Sequence, residues 1–333
     1  MGLDHRAEKP HDRLAAHLEA DMAAVNALIR ARMESRHAPR IPEVTAHLVE
    51  AGGKRLRPLL TLAAARLCGY RGDHHIRLAA TVEFIHTATL LHDDVVDEST
   101  RRRGRPTANL LWDNKSSVLV GDYLFARAFQ LMTETGSLRV LDILANASAT
   151  IAEGEVLQLT AAQNLATDEG VYLQVVRGKT AALFAAATEV GGVIAGAPEA
   201  QVRALFDYGD ALGIAFQIAD DLLDYGGADA AIGKNTGDDF RERKVTLPVI
   251  KAVARADAEE RAFWVRVIEK GDQAEGDLDR ARAIMARHGA MEGARAEAVI
   301  WADRARASLA VLPDDPIRAM LDELADYVVA RLR

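Results

Sequence analysis

What most limits the fold of this chain is a near-continuous run of helix-length apolar patterns separated only by short breaks. The breaks read "HAPRIP" near 37, "GYRGD" at 69, "RGRPT" at 103, "ETGS" at 134, "ATDEG" at 166, "GAP" at 196, "YGG" at 225 and "LPDDP" at 312. Each carries the Gly or Pro that punctuates helices. No stretch sustains the alternation of a strand, and there is no short-period repeat. Such a chain can bury its apolar faces only by packing helix on helix. Composition agrees, because 49% of the residues are hydrophobic but only 5% aromatic, leaving a core of Ala, Leu, Val and Ile. Ala and Leu favour helices, whereas strands draw on β-branched and aromatic residues. The expected fold is all-α. A length of 333 residues allows two domains, but no linker divides the chain, so a single large helical bundle over 1–333 is expected, with residues 1–20 as a flexible N-terminal segment.

The formal net charge of −8 argues against broad electrostatic binding to nucleic acid, which needs a basic face. An anionic substrate must therefore be caught locally. The single Cys68 cannot form an internal disulfide and reads as a small buried hydrophobe in a reducing compartment. The N-terminus, "MGLDHRAEKPHDRLAAHLEA", is charged throughout and has no apolar run of signal-peptide length. "TAALFAAATEVGGVIAGA" is interrupted by Glu189, Gly191 and Gly192, and reads as a core helix with a break rather than a membrane span. A cytoplasmic protein is expected.

An Asp-Asp-x-x-Asp unit occurs twice, as "HDDVVD" ending at Asp97 and as "ADDLLD" ending at Asp224, each behind an apolar helical run. Positions i, i+1 and i+4 span about 100° of a helix, so Asp93, Asp94 and Asp97 share one face, as do Asp220, Asp221 and Asp224. Like charges so close repel, and no Lys or Arg of the same helix lies four residues away to compensate. Mg²⁺ suits such a site: it takes one or two carboxylates, keeps several waters, and completes its shell with phosphate oxygens. A solvated acidic face is the plain alternative for one unit, and two units weaken it. The EF-hand spacing that would favour Ca²⁺ is absent.

Basic segments accompany these units. "GGKRLRP" at 52–58 puts Lys54, Arg55 and Arg57 in a glycine-preceded turn, with Pro58 suited to the first helical position. Such a group could grip a diphosphate or be a solvated helix start. "RRRGRP" places cations just beyond the first aspartates, where a surface salt-bridge patch is equally open. Lys179 stands in "RGKTAALF", and Lys234 and Lys244 in "GKNTGDDFRERKVTLP". The former is no P-loop, because Leu173 occupies the place of the required Gly. Dinucleotide, zinc and H-E-x-x-H motifs are missing, and no nucleophile for covalent catalysis stands out.

The ordered set "GGKRLRP", "LLHDDVVDESTRRRGRPT", "GKTAALF", "FQIADDLLDY" and "GKNTGDDFRERKVTLP" resembles the trans-isoprenyl diphosphate synthase family, most closely its bacterial long-chain, octaprenyl- and decaprenyl-type members. The likeness covers about residues 20–333. It implies an isoprenoid synthase bundle around a deep central cavity, usually in a homodimer. The implied reaction is Mg²⁺-dependent: an allylic diphosphate ionises and is attacked by the double bond of isopentenyl diphosphate. Proton loss then leaves a chain one unit longer. A quinone side chain is the implied use of the product, and a peripheral membrane contact its implied route of release.

On this resemblance Asp93, Asp97 and Asp220 are the main metal ligands, with Asp94, Asp221 and Asp224 assisting. Arg102, Lys179, Thr180, Gln217, Lys234 and Lys244 hold the allylic diphosphate. Lys54, Arg57, His86 and Arg103 hold isopentenyl diphosphate. On an ideal helix His86 lies about 20° from Asp93 and about 10.5 Å along the axis, so it can face the same space, although a buried core histidine remains open. His74, His75 and His92 have no matching role and read as structural or solvent-facing. Ala88 and Thr89 are implied to floor the space for the growing tail. Thr89 falls within about 40° of Asp93 but Ala88 about 140° away, so Ala88 rests on the resemblance alone. Shorter-chain synthases, a terpene cyclase and a non-catalytic partner subunit are the competing readings. A cyclase would not need the Lys54, Arg57 and Arg103 set, and a silent subunit would be expected to have lost aspartates.

Overall fold

The computed structural model describes residues 9–50, 53–102, 104–226 and 236–332. The described residues are overwhelmingly helical, as expected. They form two compact units, one from residues 1–148, 183–209 and 309–324, the other from 149–182, 210–308 and 325–333. No linker separates them: the boundaries fall within helices such as Leu138–Ala161 and Glu199–Tyr225.

The first unit is built on the His74–Val96 helix, against which Leu56–Leu67, Asn114–Thr133 and Glu19–Met33 pack. Leu78, Val82, Phe84, Ile85 and Leu91 of this helix are fully buried on several sides of it, as befits a central helix. Glu189, Gly191 and Gly192 do not break their helix, which runs unbroken over Ala182–Ile194. A Cβ on Gly191 would lie 2.7 Å from Ala64 Cβ and 2.8 Å from Thr61 O. The glycines thus admit a neighbouring helix instead of ending their own.

Three further details differ from expectation. Pro10–His17 is a helix whose Leu14 is fully buried, so this stretch is anchored rather than loose. Pro58 sits third in the Leu56–Leu67 helix, still within the first turn, where backbone N–H groups lack intrahelical acceptors. The "RGRPT" break holds a two-residue antiparallel ladder, Arg101–Arg102 against Arg105–Pro106, closed through Gly104 at φ 77°. Cys68 is half-buried at a helix C-terminus, and burial pushes its thiol up to about 11, which makes it a poor nucleophile. His92 fills the space over Gly121, its Nε2 3.1 Å from Val118 O, while buried His75 lies 3.2 Å from Asp21.

The second unit centres on Leu247–Val253, which packs against Glu169–Val176, Ala258–Trp264, Asp277–Arg287 and Ala290–Ser308. Trp264, Val267, Ile268 and Met285 form the fully buried heart of its core.

Candidate active site

The first aspartate unit occupies the last turn of His74–Val96, with Asp97 as the C-cap. Three carboxylates beside the negative end of a helix dipole are unfavourable without compensation. Part of it comes from the short ladder, which folds Arg102 back so that its Nε and Nη2 reach Asp94 Oδ1 at 2.9 and 2.7 Å. Asp94 is fully buried, and this burial raises its pKa despite the arginine. Asp93 and Asp97, about 40° apart on the helix, remain half-buried. The unit therefore splits: two carboxylates stand together toward solvent, and the third anchors a cation.

Arg57, at the start of Leu56–Leu67, brings Nη1 to 3.2 Å from His86 Nε2 and lies 4.5 Å over the Phe184 ring. Because guanidinium can only donate, this contact is a hydrogen bond in the tautomer whose Nε2 accepts. Neighbouring Arg55 adopts a left-handed conformation and pairs with Glu83 at 3.1 Å. Lys54 is exposed. Ala88 is fully buried, while Thr89 is half-buried and donates to His86 O at 2.8 Å. Arg103 lies outside the described residues.

In the second unit, Lys179 and Thr180 sit on a single π-turn, Arg177–Ala181, a distortion common at functional sites. A Cβ on Gly178 would lie 2.7 Å from Gly154 Cα, and one on Gly154 2.6 Å from Lys179 N. The two segments thus cross in backbone contact, and Glu155 meets Lys179 Nζ at 2.9 Å. A cleft of about 110 Å³ opens beside them, lined by Lys179, Thr180, Gln217, Asp221, Lys244 and Tyr172 among others. Thr180 Oγ1 donates to Gln217 Oε1 at 2.8 Å, Gln217 Nε2 to Asp221 Oδ1 at 2.7 Å, and Tyr172 Oη to Asp221 Oδ2 at 2.6 Å.

The second unit splits as the first does. Asp221 is buried, and burial pushes its carboxyl up to about 7, with Asp220 adding to the rise and the Tyr172 and Gln217 bonds opposing it. Asp220 and Asp224 are half-buried. Asp224 accepts from the backbone N–H groups of Asp238 and Asp239 at 3.2 and 3.0 Å. Asp220 has Arg331 as an electrostatic neighbour, whose own pKa is lowered by burial. Lys234 lies outside the described residues.

The raised Asp221 carboxyl has a consequence for stability. Between its ordinary value near 3.8 and about 7 the folded state holds a proton that the unfolded state has lost, so folding weakens as pH rises through this window. Thermal melts of the metal-free protein should show this fall, and Asp221→Asn should make it shallower, with Asp239, whose carboxyl is also raised, sustaining the remainder.

Sequence reasoning missed Tyr172, Asp239 and Arg331. Tyr172 stands in an apolar stretch that gives no sign of chemistry, whereas Asp239 was visible in "TGDDF". Asp239 lines the cleft, and burial followed by its Asp221 and Asp224 neighbours pushes it well above the usual carboxylate range.

The sequence pattern of the family described as polyprenyl synthetase matches residues 38–285. The chain belongs to this family. This polyprenyl synthetase chain is 46% identical over 313 residues to an octaprenyl diphosphate synthase of Escherichia coli (strain K12), covering 94% of this chain and 96% of that one. Its fold resembles the crystal structure of a decaprenyl diphosphate synthase from Rhodobacter capsulatus, at 78% identity and a TM-score of 0.94 over 97% of this chain and 99% of that one. It also resembles a polyprenyl synthase from Caulobacter crescentus CB15 complexed with calcium and isoprenyl diphosphate, at 55% identity and a TM-score of 0.92, covering 96% and 98%. The synthetase chain is a prenyltransferase with the all-α isoprenoid synthase fold.

Among the described residues no three His, Cys, Asp or Glu side chains gather closely enough to cage a metal ion. The half-buried pairs Asp93/Asp97 and Asp220/Asp224 instead offer hard oxygen donors in twos. That suits an ion which keeps water and phosphate in its shell.

Proposed function

We propose that the protein makes a long-chain, octaprenyl- to decaprenyl-length all-trans polyprenyl diphosphate by adding isopentenyl diphosphate to an allylic diphosphate. The observation that carries this is the cleft on which Lys179, Thr180, Gln217, Asp221 and Lys244 converge from three separate motifs. Asp93, Asp97, Asp220 and Asp224 would hold Mg²⁺, which when bound supplies charge to stabilise the departing diphosphate. Lys179, Thr180, Gln217, Lys244, Arg102 and Lys234 hold the allylic diphosphate. Lys54, Arg57, His86 and Arg103 hold isopentenyl diphosphate. Asp94 and Asp221, being buried, orient Arg102 and Gln217 rather than ligating metal. The allylic C–O bond breaks with its electron pair going to diphosphate, the isopentenyl double bond forms the new C–C bond, and a proton leaves to restore the alkene.

Both units serve one catalytic domain in this reading, and the active form is a homodimer. Exposed Leu110, Leu111 and Leu119 supply the apolar surface such an assembly needs. No described helix is long and apolar enough to cross a membrane. We place the enzyme in the cytoplasm, touching membrane peripherally to release a product destined for a quinone side chain.

Incubating the chain with Mg²⁺, radiolabelled isopentenyl diphosphate and an allylic primer, then sizing the product, tests this reading. A farnesyl or geranylgeranyl product would make it a shorter-chain synthase, and no product a silent subunit. Arg57→Ala should raise the apparent KM for isopentenyl diphosphate about tenfold while that for the primer stays put, since one charged hydrogen bond is worth about 1.5 to 3 kcal/mol. Equal shifts for both substrates would refute the division of the basic residues.

A further inference from the structure

We infer that Tyr172 is a positioning residue for the allylic diphosphate, acting through Asp221 to fix Gln217 and Thr180. This rests on the allylic site proposed above and adds a residue that none of its charged motifs contains.

Tyr172 belongs to the Glu169–Val176 helix, and its side chain is buried at the wall of the cleft. Its hydroxyl donates to Asp221 Oδ2 at 2.6 Å. The other carboxylate oxygen accepts from Gln217, whose own oxygen accepts from Thr180. Thr180 lies on the π-turn directly after the Tyr172 helix. The hydrogen bonds therefore close a ring that leaves segment 169–181 at Tyr172, crosses to Glu199–Tyr225 at Asp221 and Gln217, and returns at Thr180. With both oxygens accepting, the carboxylate cannot rotate without breaking a bond. The Gln217 amide orientation follows, and with it the side on which Thr180 presents its hydroxyl.

Phenylalanine keeps the ring packing and removes only the donor, leaving one oxygen of a buried carboxylate short of a hydrogen bond. A tyrosine that merely fills space would tolerate the change.

The test is a double-mutant cycle on the full chain, comparing Tyr172→Phe, Asp221→Ala and the pair. Tyr172→Phe should raise the apparent KM for the allylic primer about tenfold and leave that for isopentenyl diphosphate within about twofold. The double variant should match Asp221→Ala alone, because alanine removes both accepting oxygens and so cuts the same ring. Melting of the metal-free proteins should follow the same pattern, with Tyr172→Phe lowering the wild-type midpoint but not that of Asp221→Ala. Wild-type kinetics in Tyr172→Phe, equal shifts for both substrates, or effects that multiply in the double variant would overturn the inference. Calorimetric titration with Mg²⁺ and inorganic diphosphate separates it from the function itself. Weaker binding by Tyr172→Phe supports the ring even if the wild type elongates nothing, and equal binding refutes it even if the wild type is fully active.

Discussion

Asp93→Ala and Asp220→Ala are each expected to cut turnover by on the order of a hundredfold or more, the loss seen when one transition-state charge stabiliser is removed. The fold should bear the changes unequally. Asp93 stands in the last turn of its helix, near Asp97 and against the dipole, so its removal relieves repulsion and should leave the metal-free melting temperature level or higher. Asp220 neighbours the partly desolvated Arg331, so Asp220→Ala should lower the midpoint slightly. Activity with and without excess EDTA, set beside melting curves, decides the matter. Full activity in EDTA would sink the metal assignment, as would variants whose activity falls only as far as they unfold.

Aromatic substitutions below the first aspartates should shorten the product, and the two adjacent positions should differ in what else they do. Thr89 is half-buried and lies about 40° from Asp93 on an ideal helix, so Thr89→Phe should intrude on the tail with little change in melting. Ala88 is fully buried, so the ring of Ala88→Phe must displace neighbours, at about 1 to 3 kcal/mol. It should give shorter products from a less stable enzyme. Chromatography of the products alongside thermal melts reads both effects. Unchanged length from a well-folded Ala88→Phe enzyme would assign that alanine to close helix packing alone, and the same result at Thr89 would remove the floor from this turn.

The helical architecture was legible because Gly and Pro mark most of the places where one helix gives way to the next. Gly191 and Gly192 misled because the same residue that ends helices also admits a neighbouring backbone, and only the position of Ala64 distinguishes the two. The two-residue ladder at Arg101–Arg102 is too short for any alternation to register. Within the site, spacing put three aspartates on one arc but could not say which part of it faces inward. The structure turns Asp94 and Asp221 in and leaves their i−1 and i+3 neighbours out. The absence of a Lys or Arg four residues away in the same helix reads as a demand for metal. Arg102 meets part of that demand from the ladder just beyond the first helix, and Arg331 from near the end of the chain. Tyr172 was out of reach, since a hydroxyl in an apolar helix acquires meaning only from the carboxylate it touches.

The crossing of Gly154 and Gly178 bears on when conformational freedom is lost. Main chain rests on main chain there, so the backbone of Lys179 is held by close backbone packing rather than by side chains able to change rotamer. The backbone entropy of localising that lysine is surrendered as the protein folds, and a diphosphate arriving later has only side-chain torsions left to quiet.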